Sequence, residues 1–335
     1  MTYYSVAAVR RGGPEVLQVV ANELRAPAAG EVRIKVLAAS VCRPDVTPRT
    51  RDNLYANAKR YQPPFVPGYS VIGTVDAVGE GVTTAAVGDR VAVLTILGGY
   101  TEVLYWDAKW LIPVPEGIDP VAAMPLVLNY VVAYQAMHRA AKVKPGESAV
   151  IVGASGGIGT ALLDLGRLVG LKMIGVASAS KHEAVAALGA TPVGYRTRPF
   201  DAAVRALKPD GVDCVFDGVA SLDAIRRGFG LLRRGGRMVS FGEPEALPPL
   251  LARLVGYNLL PNRKAYKLYG TSKYSLGMRC TFLEDWATLF DLLAEGSIQP
   301  VIAATFPILE AGAANALLEG GSVVGNIVLA APELL

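Results

Sequence analysis

The run SAVIVGASGGIGTALLDLGRLVG, residues 148–170, most constrains what this chain can fold into. It reads as a short apolar strand, a glycine turn and a helix. That helix carries Ile158, Ala161, Leu162, Leu165, Leu168 and Val169 on one face. The same rhythm continues downstream. LKMIGVA is a second strand, and KHEAVAALGA is a helix stopped by Gly189. TPVGY, GVDCVF and GRMVSF are further strands with helices between them, and KAYKLYG is a candidate sixth. Strand–helix alternation of this kind predicts an α/β fold with a parallel, doubly wound sheet.

The chain has 335 residues, which suggests two domains. Its first 125 or so residues are β-rich in pattern. EVRIKVLAAS alternates, and VIGTVDAVGEGV and GDRVAVLTIL are strands set off by glycine turns. Residues 120–142 are helical in pattern. TFLEDWATLFDLLAEG is an amphipathic helix ending at Gly296, and NIVLAA is a last short strand. The doubly wound part is therefore expected to be inserted between a β-rich piece and a C-terminal helix–strand piece.

The glycine turn admits two readings. Gly153, Ser155 and Gly157 spell G-x-S-x-G, the nucleophile elbow of a serine hydrolase. That chemistry needs an acid and then a histidine later in the chain. Of the two histidines, His138 precedes Ser155 and His182 opens the next helix, so neither fits. Both are expected on solvent-facing helix positions. Gly153, Gly156 and Gly159 instead spell a dinucleotide turn. Gly153 would permit the tight bend, Gly156 the approach of a pyrophosphate, and Gly159 close packing of helix on strand. The helix N-terminus would then offer its free N–H groups to the phosphates.

The choice of dinucleotide is read at the end of the second strand. An NAD site places a carboxylate there for the ribose hydroxyls. Here Ala177 and Ser178 occupy that place, followed by Ser180 and Lys181. Hydroxyls and a cation suit a 2′-phosphate, so NADPH is expected. Ser180 can also serve as a helix N-cap, and the two roles are compatible.

Bulk properties narrow the partners. A formal net charge of +4 is too small to argue for nucleic acid or an anionic membrane. Cys42, Cys214 and Cys280 lack metal or disulfide spacing, so free thiols in a reducing compartment are expected. The N-terminus does not read as a signal peptide, and no charge-free apolar run reads as a membrane span. The expectation is a cytoplasmic protein without nucleic-acid or membrane partners.

Several segments resemble the zinc-independent side of the medium-chain dehydrogenase/reductase superfamily, with its quinone oxidoreductases, ζ-crystallin and alkenal or enoyl reductases. They are GGPEVLQV, VPGYSVIGTVDAVGEGVTTAAVGDRVAVL, GGYTEV, VLNYVVAYQAMHRAAKVKPGESAVIVGASGGIGTALLDLGRLVG, LGATPVGYRT, GVDCVFDGV, LRRGGRMVSFG and SVVGNIVL. The resemblance implies a GroES-like catalytic domain over 1–123, a Rossmann NADP(H)-binding domain over 124–274, and a C-terminal part of the catalytic domain over 275–335. It adds Tyr195 to the 2′-phosphate group. It also implies cofactor contacts from Asn129, Gly153, Ser155, Gly156, Gly157, Ile158, Gly159, Ser178, Ser180, Lys181, Phe241, Gly242 and Asn326.

Departures from the zinc-dependent relatives are informative. Their Cys-x-Thr/Ser-Asp segment is VCRPDV here, so Cys42 remains but Pro44 replaces the relay hydroxyl. Their Gly-His-Glu segment is Gly68-Tyr69-Ser70. A catalytic zinc takes three protein ligands and a water, which Cys42 alone cannot supply. The resemblance then implies no metal, and hydride transfer to an already activated acceptor: a quinone, or a C=C conjugated with a carbonyl (an enone or enal). Tyr55, Tyr69 and Tyr130 are the candidate proton or hydrogen-bond donors, or else plain pocket walls. A homodimer joined through KAYKLYG is expected as in dimeric relatives. The alternative is an NADPH-binding structural or regulatory protein with little turnover.

Overall fold

The computed structural model describes residues 1–50, 61–244, 247–271 and 277–335. They form two compact units, Asn129–Val301 and Met1–Leu128 with Ile302–Leu335.

The Asn129–Val301 unit is built on a six-stranded sheet. Its strands lie in the order Thr191–Val193, Lys172–Val176, Ser148–Val152, Val212–Asp217, Leu232–Ser240, Ala265–Leu268. Every neighbouring pair is parallel. In chain order this is 3-2-1-4-5-6, the doubly wound arrangement the alternation predicts. The order reverses between Ser148–Val152 and Val212–Asp217, and beyond their carboxyl ends such a sheet leaves a crevice. Ser148–Val152 is buried at all its positions, as its unbroken apolar sequence requires of a central strand. Val150, Ile174, Val215, Met238 and Tyr266 lie in one apolar core with helix residues Val204 and Ile225.

Helix Arg279–Ala294 belongs to this unit. It buries Phe282, Trp286, Leu289 and Phe290. Asp285 is buried too, but it accepts from Arg139 at 2.7 Å and from Gln135 Nε2 at 2.7 Å, so its charge is matched. These bonds tie the helix to the 129–141 segment. The units therefore divide at 128/129 and 301/302, where the sequence places its divisions at 123/124 and 274/275.

The other unit holds a mostly antiparallel sheet and a separate hairpin, Thr2–Ala8 with Leu17–Glu23. The sheet runs Ile302–Pro307, Asn326–Ala330, Glu31–Val41, Ser70–Val78, Arg90–Leu94, Ile112–Pro113, and Val103–Asp107 also pairs with Glu31–Val41. Asn326–Ala330 pairs with the stretch from Ala38 to Val41, so the C-terminal strand is an interior member of a sheet begun by the N-terminal residues. Val36, Ala39, Val71, Val93, Ile327 and Leu329 share its core.

The helical stretch Pro120–Ala141 is not uniform. Two wide π-type turns, Leu126–Tyr130 and Gln135–Ala141, interrupt it. Pro125 precedes the first, and a proline inside a helix lacks the N–H the ladder needs there. Such turns recur at functional sites, and this one carries Asn129 and Tyr130. By length and composition this stretch could cross a membrane, where the sequence analysis expects no span. Of its most apolar window 78% is buried inside the protein, as in a core helix.

Candidate cofactor and active sites

The glycine turn follows strand Ser148–Val152 and opens helix Gly157–Val169. Gly153 has φ +85°, the left-handed region that favours glycine. Gly159 permits contact closer than any side chain allows. A Cβ there would lie 2.2 Å from the Gly153 carbonyl oxygen and 2.7 Å from the Ala154 carbonyl carbon. Gly156 differs, because a Cβ there would meet only the Gly153 oxygen, at 3.5 Å. Gly156 is exposed, and as the N-cap it has no side chain to bond the first-turn amides. The N–H groups of Gly157, Ile158 and Gly159, in the first turn, thus have no competing side-chain cap. Ser155 is buried. These residues fit a pyrophosphate.

At the end of the second strand Ala177 is buried, with its N–H donated to the Val193 oxygen at 3.0 Å. The Ser178 and Ser180 hydroxyls lie 3.3 Å apart. Ser178 heads the short helical turn Ala179–Lys181 and Lys181 heads helix His182–Ala187, neither with a side-chain cap. Ser180 is therefore not the N-cap it can be taken for. Lys181 is half-buried, and burial lowers its pKa. Tyr195 is exposed.

A cavity of about 410 Å³ lies here, lined by Ala179, His182, Gly194 and Arg198 among others. It brings the segment after the second strand and the segment after the third to one place, and it adds Arg198, which the sequence does not single out. His182 is half-buried, with Nε2 3.3 Å from the Ala177 carbonyl oxygen, and does not face solvent as expected. His138 is also half-buried, its ring 4.4 Å from that of Tyr134, and burial lowers its pKa. Phe241 and Gly242 follow strand Leu232–Ser240. A Cβ at Gly242 would meet the Gly218 oxygen at 2.6 Å, so that turn is tight as well.

The candidate tyrosines have different surroundings. Tyr55 lies outside the described residues. Tyr130 is buried, and its hydroxyl donates to Asp164 Oδ2 at 2.8 Å. The same oxygen accepts the Gln299 N–H at 2.8 Å, so Asp164 ties three segments together. Burial and the Asp164 carboxylate both raise the Tyr130 pKa. Tyr130 is thus committed to a structural bond. Asn129 is half-buried in the same wide turn. Tyr69 and Asn326 belong to the other unit. Asn326 is buried at the start of the last strand.

Tyr69 is half-buried and follows Gly68, whose φ is +109°. Around this turn lies a polar cluster absent from the sequence reading. Asp45 Oδ2 accepts from the Cys42 N–H at 2.8 Å and from the Cys42 thiol at 3.1 Å, and Asp45 Oδ1 accepts from the Gly68 N–H at 3.1 Å. The buried Tyr100 hydroxyl, also near Asp45, accepts from Asn315 Nδ2 at 3.2 Å. Ser40 and Ser70 pair at 2.8 Å. Burial and the adjacent Asp45 push the Cys42 thiol well up, so Cys42 is a neutral donor here and not a nucleophile. Among the described residues no three His, Cys, Asp or Glu side chains gather as a metal site would require.

Two family models match, the zinc-binding dehydrogenase over residues 188–329 and the alcohol dehydrogenase GroES-like domain over residues 28–116. The 2-haloacrylate reductase of a Burkholderia species is 30% identical over 332 residues, spanning 96% of each chain. The chain belongs to the medium-chain dehydrogenase/reductase superfamily. Its two units are the GroES-like and Rossmann-type parts of that fold. A zebrafish (Danio rerio) synaptic vesicle membrane protein VAT-1 homolog is 28% identical over 347 residues, covering 98% of this chain and 70% of that one. The crystal structure of Escherichia coli quinone oxidoreductase complexed with NADPH has a TM-score of 0.85 at 25% identity, covering 98% of this chain and all of that one. Cys42, the cysteine of the VCRPDV segment, donates its thiol to Asp45.

Proposed function

We propose that this protein is a zinc-independent, NADPH-dependent oxidoreductase that reduces quinones or C=C bonds conjugated with a carbonyl. The observation that carries the reading is the uncapped glycine turn at the switch point of the parallel sheet, followed by a second strand that ends without a carboxylate. Bound NADPH supplies the hydride. The amides after Gly156 would hold its pyrophosphate, and Lys181, Ser178, Ser180 and Tyr195 its 2′-phosphate. Asn129, Phe241 and Gly242 complete the proposed set in this unit, and Asn326 stays a candidate from sequence. A donor near the acceptor carbonyl must stabilise the charge that builds on its oxygen and deliver a proton. Tyr69 is the best described candidate, because it occupies the old metal-ligand position and is half-buried. Tyr55 stays a candidate from sequence. Tyr130 acts from behind, by fixing the wide turn that carries Asn129.

The test is NADPH consumption with a panel of quinones, enals and enones. Steady turnover is expected with at least one, chelators should leave the rate unchanged, and metal analysis should find well under one equivalent of zinc. The VAT-1 likeness favours a second reading, an NADPH-binding structural or regulatory protein. Tight NADPH binding with no turnover across the panel would decide for that one.

Two finer proposals go with this reading. The free cysteines, two of them buried, support a reducing, cytoplasmic setting. A homodimer is supported by Ala265–Leu268, the terminal strand of its sheet, and by helix Leu247–Leu259. That helix exposes Leu247, Leu251, Val255 and Leu259 at four-residue spacing, an apolar ridge that water leaves uncovered. Light scattering after size exclusion should give twice the chain mass of 35.2 kDa, and Val255→Lys should shift it toward monomer. A wild-type monomer at all concentrations would end this proposal.

A further inference from the structure

The cluster around Asp45 holds one particular turn. We infer that Asp45 is the positioning residue for the Gly68–Tyr69 turn, and through it for the Tyr69 side chain; this rests on the reading of Tyr69 as the group that meets the acceptor.

Asp45 is 1% exposed. Burying a carboxylate is costly unless hydrogen bonds offset it, and an apolar side chain would often serve the fold as well or better. The bonds Asp45 collects show what the charge achieves. Its donors come from the end of strand Glu31–Val41 (Cys42) and from the turn before strand Ser70–Val78 (Gly68). Tyr100, buried nearby, is held by Asn315 of helix Ala311–Glu319, and Asn315 Oδ1 accepts from Arg49 Nη2 at 3.3 Å. One carboxylate thus ties the end of strand Glu31–Val41 to the turn before strand Ser70–Val78.

The Gly68–Tyr69 backbone is pinned from the opposite side as well. Gly68 has no space for a side chain, since a Cβ would lie 2.5 Å from Gly99 Cα and from the Tyr100 nitrogen. The Gly68 carbonyl accepts from the Thr95 hydroxyl at 2.5 Å and from the Gly99 N–H at 3.1 Å. The Tyr69 carbonyl accepts from the N–H groups of Thr95 and Ile96 at 2.9 and 3.1 Å. Ile96 has φ +64°, a costly conformation for a β-branched residue that surrounding contacts must enforce. A strained amide on one side and a buried carboxylate on the other meet at the two residues that carry Tyr69. Cys42 is the titratable group bonded to Asp45, and Tyr100 is the other one that faces it. Burial pushes the Asp45 carboxyl up to about 6, and the hydrogen bonds it accepts oppose that rise.

A double-mutant cycle on the full chain tests this. NADPH binding, kcat and KM are measured with a water-soluble quinone for wild type, Asp45→Asn, Tyr69→Phe and the double variant. Asparagine keeps the shape of Asp45 but turns an NH2 toward one of its donors. Asp45→Asn should lower kcat by about 10- to 100-fold, the scale of a misplaced catalytic group. In the Tyr69→Phe background it should cost less than about twofold, since the two changes share one route. NADPH affinity should not move. Equal losses in both backgrounds, with Tyr69→Phe itself impaired, would overturn the inference while leaving Tyr69 in place. A silent Tyr69→Phe would remove the Tyr69 reading and the inference with it. If Asp45→Asn does not fold, Cys42→Ala removes the thiol donor and keeps the carboxylate. Its smaller loss should likewise vanish in the Tyr69→Phe background, and equal losses would again overturn the inference.

Discussion

Gly159→Val should abolish NADPH binding and lower the melting temperature. The reason is contact distance. The space a side chain would need is already filled by the Gly153 oxygen and the Ala154 carbonyl, and both belong to backbone that cannot swing aside. Overpacking of this kind costs about 1–3 kcal/mol or more in a rigid setting. Gly156→Val should behave differently. Its Cβ meets nothing closer than 3.5 Å, so the folded protein accepts it. It then projects from an exposed position toward the place proposed for the pyrophosphate. Melting should change little while NADPH affinity falls by about 100-fold or more, as when a ligand loses charge-assisted bonds. Ser155→Ala should be tolerated in both respects. Cofactor fluorescence titration and thermal melts on the three variants decide this. A Gly156 variant with intact binding would remove the turn from the cofactor site, and an esterase activity lost in Ser155→Ala would restore the hydrolase reading.

Lys181→Ala should weaken NADPH binding by about 10- to 100-fold, the value of one charge-assisted hydrogen bond at about 1.5–3 kcal/mol. NADH, with no phosphate at that place, should be nearly unaffected. Arg198, on the cavity beside His182, should add a further loss when replaced by Ala. The reverse change is best made at Ser178. A carboxylate at Ala177 would sit on a buried carbon and pay desolvation, whereas Ser178 is half-exposed. Ser178→Asp should repel the phosphate and offer the ribose an acceptor without loss of melting temperature. Equal NADH and NADPH affinity in the wild type, unchanged by Lys181→Ala, would reduce these residues to a helix start and a solvated surface.

The parallel sheet is legible in the sequence because each strand is short, apolar and closed by a glycine or a polar turn. Gly189 and Gly296, both with positive φ, end helices where their pattern says they should. What stays hidden depends on long-range contacts. Nothing local marks Asp45 as a partner of Gly68, or Asn315 as the support of Tyr100. Those pairs are joined only by the antiparallel sheet and the helix behind it. Tyr130 reads as a pocket tyrosine until Asp164, on the next helix, claims its hydroxyl. Both histidines sit on helices that look solvated by pattern, yet one lies on Tyr134 and the other on the Ala177 carbonyl. The wide turns of Pro120–Ala141 have a visible cause in Pro125, but the pattern alone does not distinguish a π-type turn from a kink.

The interior place of Asn326–Ala330 bears on how the chain is made. Ala38 to Val41 leave the ribosome long before their pairing partners on this side, Ile327 to Ala330. The 129–301 unit closes its own sheet before that moment and needs nothing from the C-terminal strand. Contacts of such long sequence separation form slowly, and domains emerge and fold as units during synthesis. The 129–301 unit is therefore expected to complete its sheet first, while Glu31–Val41, already able to pair with Ser70–Val78 and Val103–Asp107, keeps one edge at residues 38–41 unpaired and aggregation-exposed. A nascent chain stalled after residues 129–301 have emerged should already protect that segment from protease, and more fully than residues 38–41.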